Sequence, residues 1–127
     1  MLYRVESSKT PAQVGRDLEA AAQKYKFGVM TVHNLKEKMR EKGVDYARDC
    51  LIYEVCNPHQ AKKVLEANPE ISTALPCRIS VYPEGSTTVL ATIRPTAMIE
   101  LFGTPELEAV ALEVEETITK IMDEAAK

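Results

Sequence analysis

The segment Ile52–Tyr82, IYEVCNPHQAKKVLEANPEISTALPCRISVY, reads as a strand, a helix and a second strand. Its first residues are the β-branched and aromatic types that favour a buried strand. Asn57 predicts a helix start, because its side chain can accept from the first free N–H groups and Pro58 suits the first helical position. Pro69 ends that helix, since the residue before a proline is disfavoured in a helical conformation. A loop then leads to the second strand, which begins at Cys77.

On both sides of this segment the chain continues with short strands and amphipathic helices. The predicted order is β-α-β-(short α)-β-α-β-β-α. It indicates an α+β fold, a mostly antiparallel sheet with helices packed on one face, and residues 1–127 are expected to form a single domain. The opposite face would need cover if it is apolar, and a second copy of the chain is the simplest cover. The predicted elements are strands over residues 2–7, 27–33, 51–55, 77–82 and 87–94, and helices that begin near Thr10, Asn34, Asn57 and Thr104.

Composition and charge exclude several classes of function. The chain has 127 residues, a net charge of -3 and no Trp, so it offers nucleic acid neither a basic field nor a good stacking surface. No apolar run approaches the roughly 20 residues that cross a bilayer. The first residues also lack the apolar region of a secretory signal. We therefore expect a cytoplasmic protein that binds neither nucleic acid nor membrane.

The cysteines offer the chain no obvious disulfide or metal chemistry. Cys50, Cys56 and Cys77 are an odd number in a chain without a secretory signal, which argues against a disulfide framework. No C-x-x-C pair occurs, and the two histidines share no metal-ligand spacing. His59 lies three residues from Cys56, but no further ligand is spaced to complete a site with them. We predict no metal and no cofactor.

Cys56 and Cys77 are the centre of the candidate site, and two interpretations of them are open. Cys56 precedes a helix N-terminus, where free N–H groups stabilise an anion and would lower the pKa of a thiol. If the chain goes out and back after Cys56, Cys77 begins its strand at the same end of the sheet and the thiols are close. A parallel crossover would place them at opposite ends. The alternative is that both are simply buried, since free cysteine behaves as a small apolar residue.

Three neighbours complete the candidate thiol or ligand site: Asn57, His59 and Arg78. Asn57 has a sufficient structural role as a helix cap. His59 could accept a proton from Cys56, but no third residue is identifiable to orient its ring. Arg78 follows Cys77, and adjacent strand residues point to opposite faces, so it need not assist the thiol. No catalytic residue is assigned, so the sequence favours a binding role and leaves enzyme activity open.

The chain resembles the domain-of-unknown-function 302 family. The resemblance is carried by Cys56-Asn57-Pro58, Ala61, Leu65 and Leu75-Pro76-Cys77, and the flanking helices extend it over nearly the whole chain. It implies a small α+β domain, similar to the TATA-binding-protein-like architecture, that forms a homodimer. It does not imply DNA binding, because a fold does not transmit function. The family has no established activity, so the resemblance implies none.

Three functions follow as hypotheses. The first is a small dimeric cytoplasmic binding module whose ligand, anionic or thiol-reactive, sits near the Cys56–Asn57 helix start. The second is a thiol redox or sulfur-handling protein that uses Cys56 with Cys77. The third is a protein-interaction module without small-molecule chemistry. The binding module ranks first, because no complete catalytic constellation is visible.

Overall fold

A computed structural model describes residues 1–127 and contains one sheet of five strands. The strand order is β1-β5-β4-β3-β2, and every neighbouring pair is antiparallel. The α+β fold with an antiparallel sheet is therefore confirmed. The strands are β1 (Leu2–Ser7), β2 (Gly28–Asn34), β3 (Leu51–Cys56), β4 (Cys77–Glu84) and β5 (Thr87–Ile93).

Five α-helices and two 3-10 helices connect or follow the strands. None of the helices combines the length and the hydropathy that crossing a bilayer requires. The 3-10 helices span Pro69–Ala74 and Pro105–Leu107. The α-helices are α1 (Pro11–Lys24), α2 (Leu35–Glu41), α3 (Pro58–Ala67), α4 (Pro95–Glu100) and α5 (Glu108–Ala126).

Polar caps start three of these helices at the predicted residues. Thr10 and Asn34 cap α1 and α2, each through one backbone N–H of the first turn. Asn57 Oδ1 caps α3 by accepting from two N–H groups, those of His59 at 3.0 Å and Gln60 at 3.2 Å. Local sequence therefore determines where α3 leaves the sheet.

The β4–β5 hairpin is tighter than the sequence predicted. β4 continues to Glu84 and includes Pro83, where a four-residue spacer was expected. β3 pairs with β4 only as far as Val81. Beyond that point one edge of β4 has no partner strand, and such positions tolerate a residue that lacks an N–H.

Three helical segments also differ from prediction. The expected loop after α3 is a 3-10 helix, capped by Asn68 Oδ1, which accepts from the N–H of Glu70 at 3.0 Å. α4 begins at Pro95, directly after β5, and was not predicted. The last helix begins at Glu108 instead of Thr104, because a 3-10 turn intervenes. Segments this short hold too few residues to show an apolar stripe.

Helices α1 and α5 cover one face of the sheet, as expected. Their apolar stripes and the inward residues of the strands form a main core of 15 buried residues. Leu18 of α1, Ile118 of α5 and Ile79 of β4 are fully buried there. A second cluster packs beside the main core, from Val64, Ile71, Ile99, Leu107 and Ala111.

The opposite face of the sheet is mixed in character. Glu54 of β3 accepts a hydrogen bond from His33 Nε2 at 3.0 Å and forms an ion pair with Arg78 at 3.3 Å. Leu2 and Ile93 lie directly opposite each other on β1 and β5, and both side chains are exposed. This face is thus only partly apolar.

Candidate functional site

The end of β3 and the start of β4 lie together at one end of the sheet. In the antiparallel register, Val55 is directly opposite Cys77. α3 and the following 3-10 helix carry the chain out and back between them. Of the two arrangements considered from the sequence, the out-and-back connection is the one present. Cys56 and Cys77 therefore belong to the same end of the sheet.

A partly open apolar pocket occupies this end of the molecule. Its lining of 18 residues includes 15 hydrophobic ones and no charged side chain. The centre of a water-sized sphere can move through about 60 Å³ of it. The pocket lies where the two hydrophobic clusters meet, with Phe27, Val55 and Cys77 from the main core and Val64, Ile71 and Ile99 from the second cluster.

Few polar groups reach this pocket. Asn57 lines it, but its Oδ1 is already engaged as the cap of α3. Gln60 also lines it, and its Oε1 is buried without a hydrogen-bond partner. No other buried side-chain nitrogen or oxygen of the chain lacks one. Since buried polar atoms are normally paired, Gln60 marks a position where a ligand or a water can donate a hydrogen bond.

The five residues of the predicted site divide into two groups. Cys56, Asn57 and Cys77 line the pocket. His59 is exposed on α3 and does not line it. Arg78 is exposed on the opposite face of the sheet, where it pairs with Glu54. Neither of these two basic side chains therefore faces the pocket, and an anionic ligand has no charged partner there.

The electrostatics of the two thiols do not favour a reactive centre. Burial raises the pKa of Cys56, so the expectation that the helix terminus lowers it is wrong. The physical reason is that the partly buried thiolate would lose hydration. The N–H groups of His59 and Gln60 donate to Asn57 Oδ1 instead of to the thiol. Burial, with a smaller contribution from Cys56, raises the pKa of Cys77 to about 11, against the opposing effect of Arg78. Both thiols are therefore protonated near neutral pH.

No metal-binding cluster accompanies the thiols. All three cysteines are free of disulfides. Nowhere in the chain do three or more His, Cys, Asp or Glu side chains gather as a set that could hold a metal ion. What the pocket can offer a ligand is apolar contact, two neutral thiols and the side-chain amides of Asn57 and Gln60.

Comparison with known proteins places the chain in a family. Residues 3–125 match the family described as "Domain of unknown function DUF302". The chain belongs to the DUF302 family. The crystal structure of an "uncharacterized conserved protein DUF302 from Bacillus stearothermophilus" is similar to it, with a TM-score of 0.93 and 31% sequence identity. That similarity covers 99% of this chain and 98% of the other. No curated protein matches this DUF302 chain.

The comparisons indicate no specific biochemical function, so the pocket is the guide to one. Sequence reasoning identified Cys56, Asn57 and Cys77 of its lining but missed the role of Gln60. The signal was present, because Gln60 lies one helical turn before the buried Val64 and therefore on the same face of α3.

Proposed function

We propose that this DUF302 protein is a binding module for a small apolar molecule held in the pocket beside α3. The observation that carries the proposal is the buried, unpaired Oε1 of Gln60 in an otherwise apolar lining. Ligand sites are commonly concave and apolar, with a few polar groups that orient the ligand. The pocket has that composition. Cys56 and Cys77 serve in it as small, neutral lining residues.

Protein-observed NMR tests the proposal with a panel of small apolar and amphipathic compounds. Binding should be saturable, and the perturbed amide signals should cluster at the pocket, around Val55, Val64 and Ile99. Ala61→Leu adds bulk inside the pocket, since Ala61 is part of its lining, and should abolish binding while the folded spectrum is retained. Ala67→Leu is the matched control, because Ala67 is exposed on the same helix. The proposal fails if no compound binds or if Ala61→Leu leaves binding intact.

We also propose that the protein is a homodimer that pairs through the mixed face of the sheet. Support comes from the exposed cross-strand pair of Leu2 and Ile93, which are 59% and 46% exposed. Light scattering after gel filtration should report twice the chain mass. Ile93→Glu should yield the monomer, whereas Leu112→Glu, at an exposed leucine on α5, should leave the dimer intact. A monomeric parent protein would contradict the proposal.

A cytoplasmic location is proposed on the chemistry of the thiols. Three cysteines without a disulfide suit a reducing compartment. Cell fractionation with an antibody to the protein tests this, and recovery from a secreted or periplasmic fraction would contradict it.

A further inference from the structure

The geometry points to the chemical class of the ligand: a compact, neutral molecule with an apolar body and one hydroxyl group that donates to Gln60 Oε1. This inference rests on the proposed function and deepens it. The ligand is then a short alcohol instead of the anionic or thiol-reactive ligand expected from the sequence.

The first argument is the hydrogen-bond demand of Gln60. Its backbone N–H is donated to Asn57 Oδ1 at 3.2 Å, which anchors the base of this side chain at the start of α3. Its side-chain Oε1 has no protein partner and is covered, so a ligand reaches it when the side-chain amide turns about its terminal bond toward the pocket. An amide oxygen can only accept a hydrogen bond. The complementary ligand group is therefore a donor, and a hydroxyl is the smallest one that is neutral at physiological pH.

The second argument is charge. The pocket lining contains no Lys, Arg or His, so a carboxylate or phosphate placed there would lose its hydration without gaining a cation. An amide oxygen next to such a group would add repulsion. The lining contains no Asp or Glu either, so an ammonium group would be left equally uncompensated. Only a neutral ligand avoids both costs.

The third argument is size. About 60 Å³ is open to the centre of a water-sized sphere. One water needs about 10 to 15 Å³ of such space, so the pocket has room for roughly four to six non-hydrogen atoms below its opening. A four- or five-atom chain with a terminal hydroxyl fits this limit, whereas a polycyclic molecule would have to leave most of its body outside.

The experiment compares three probes that share a butyl or butanoyl chain: 1-butanol, 1-fluorobutane and butyrate. NMR titration gives the dissociation constant of each. The parent protein should bind 1-butanol about tenfold more tightly than 1-fluorobutane, which has a similar shape and no donor. Butyrate should bind least. In Gln60→Met, which keeps the chain length without the acceptor, the ratio between the first two probes should fall to about one. Gln23→Met, at an exposed position of α1, is the matched control and should keep the parent ratio.

A crystal structure with 1-butanol provides a measurement that does not depend on the variant. It should place the hydroxyl oxygen within hydrogen-bond distance of the Gln60 amide. Equal binding of 1-butanol and 1-fluorobutane, preference for butyrate, or a water alone on the Gln60 amide with the alcohol bound elsewhere would overturn the inference while leaving an apolar binding module intact. Failure of every compound, including the broader NMR panel, would overturn the proposed function as well.

Discussion

Cys77 shows at the scale of one residue how burial determines the chemistry of a thiol. It is 9% exposed, lies opposite Val55 in the sheet and faces the main core. Its ionised form would lose hydration, and no cation in the pocket replaces that hydration. The positive Arg78 is its neighbour in sequence but forms its ion pair with Glu54 at the other face of the sheet. A thiol redox role for this residue is correspondingly disfavoured.

The buried thiol predicts a pH dependence of stability. The pKa of Cys77 is about 11 in the folded chain, above the ordinary value of 9.0. The folded state therefore retains the proton more strongly, so this contribution is fully present below pH 9 and is lost as the pH rises toward 11. Relative to Cys77→Val, which has no titrating group there, the parent protein should lose about 2 kcal/mol of unfolding free energy between pH 8 and 11. Urea denaturation at several pH values measures the difference, and parallel curves for the two proteins would contradict the assignment.

At the scale of the element, the cap of α3 connects sequence directly to the pocket. Asn57 Oδ1 accepts hydrogen bonds from two backbone N–H groups, those of His59 and Gln60. The same interaction that begins the helix therefore holds the base of the Gln60 side chain.

Loss of this cap should affect both stability and binding. Asn57→Ala is expected to lower the unfolding free energy by about 1 kcal/mol and to weaken binding of 1-butanol. Thr10→Ala removes the comparable cap of α1, away from the pocket, and should lower stability without weakening binding. Chemical denaturation and NMR titration of both variants provide the comparison. Equal effects on binding would show that the Asn57 cap has no special link to the site.

The contact between α1 and β3 depends on one glycine. Gly15 is buried in α1, and a Cβ atom at this position would collide with the hydroxyl of Tyr53. Gly15→Ala should therefore destabilise the protein by about 1 to 3 kcal/mol, although alanine favours helices. Tyr53→Phe removes the colliding oxygen, so the double variant should recover most of the loss. A double-mutant cycle by urea denaturation tests this, and additive effects would contradict the steric explanation.

At the scale of the whole molecule, the two hydrophobic clusters are unequal. The main core contains 15 buried residues and the second cluster five. α3 contributes one buried residue, Val64. In the paired strands, by contrast, Val55 of β3 and Ile79 and Val81 of β4 are fully buried. The pocket lies along the boundary between the main core and the smaller second cluster.

This inequality predicts a partial opening of the pocket wall. Backbone amides of α3 should exchange hydrogen through a local opening, with a lower free energy than those of β3 and β4, which should require global unfolding. Native-state hydrogen exchange at low denaturant concentrations measures both. A saturating ligand should raise the opening free energy of α3, because it binds the closed wall. Identical free energies and denaturant dependence for α3 and β3 would show one cooperative unit instead.

The sequence by itself determined the elements whose signals are local. The cap of α3 at Asn57 and the strands on either side of it, β3 and β4, depend on neighbours along the chain, which supply the physical cause. The motifs that carry most of the resemblance to the DUF302 family lie in the same stretch of sequence. Short segments without periodicity, such as α4, escaped because a single helical turn carries little pattern.

Only the tertiary structure decided what these elements enclose. The unpaired Oε1 of Gln60 and the raised pKa of Cys77 depend on atoms brought together from β3, α3, α4 and α5, far apart in the chain. Burial and hydrogen-bond satisfaction are sums over all neighbours in space, and a local pattern cannot supply them. The sequence therefore indicated where the candidate site lies, and the packed fold decided that its lining is uncharged, mostly apolar and includes a buried amide oxygen without a hydrogen-bond partner.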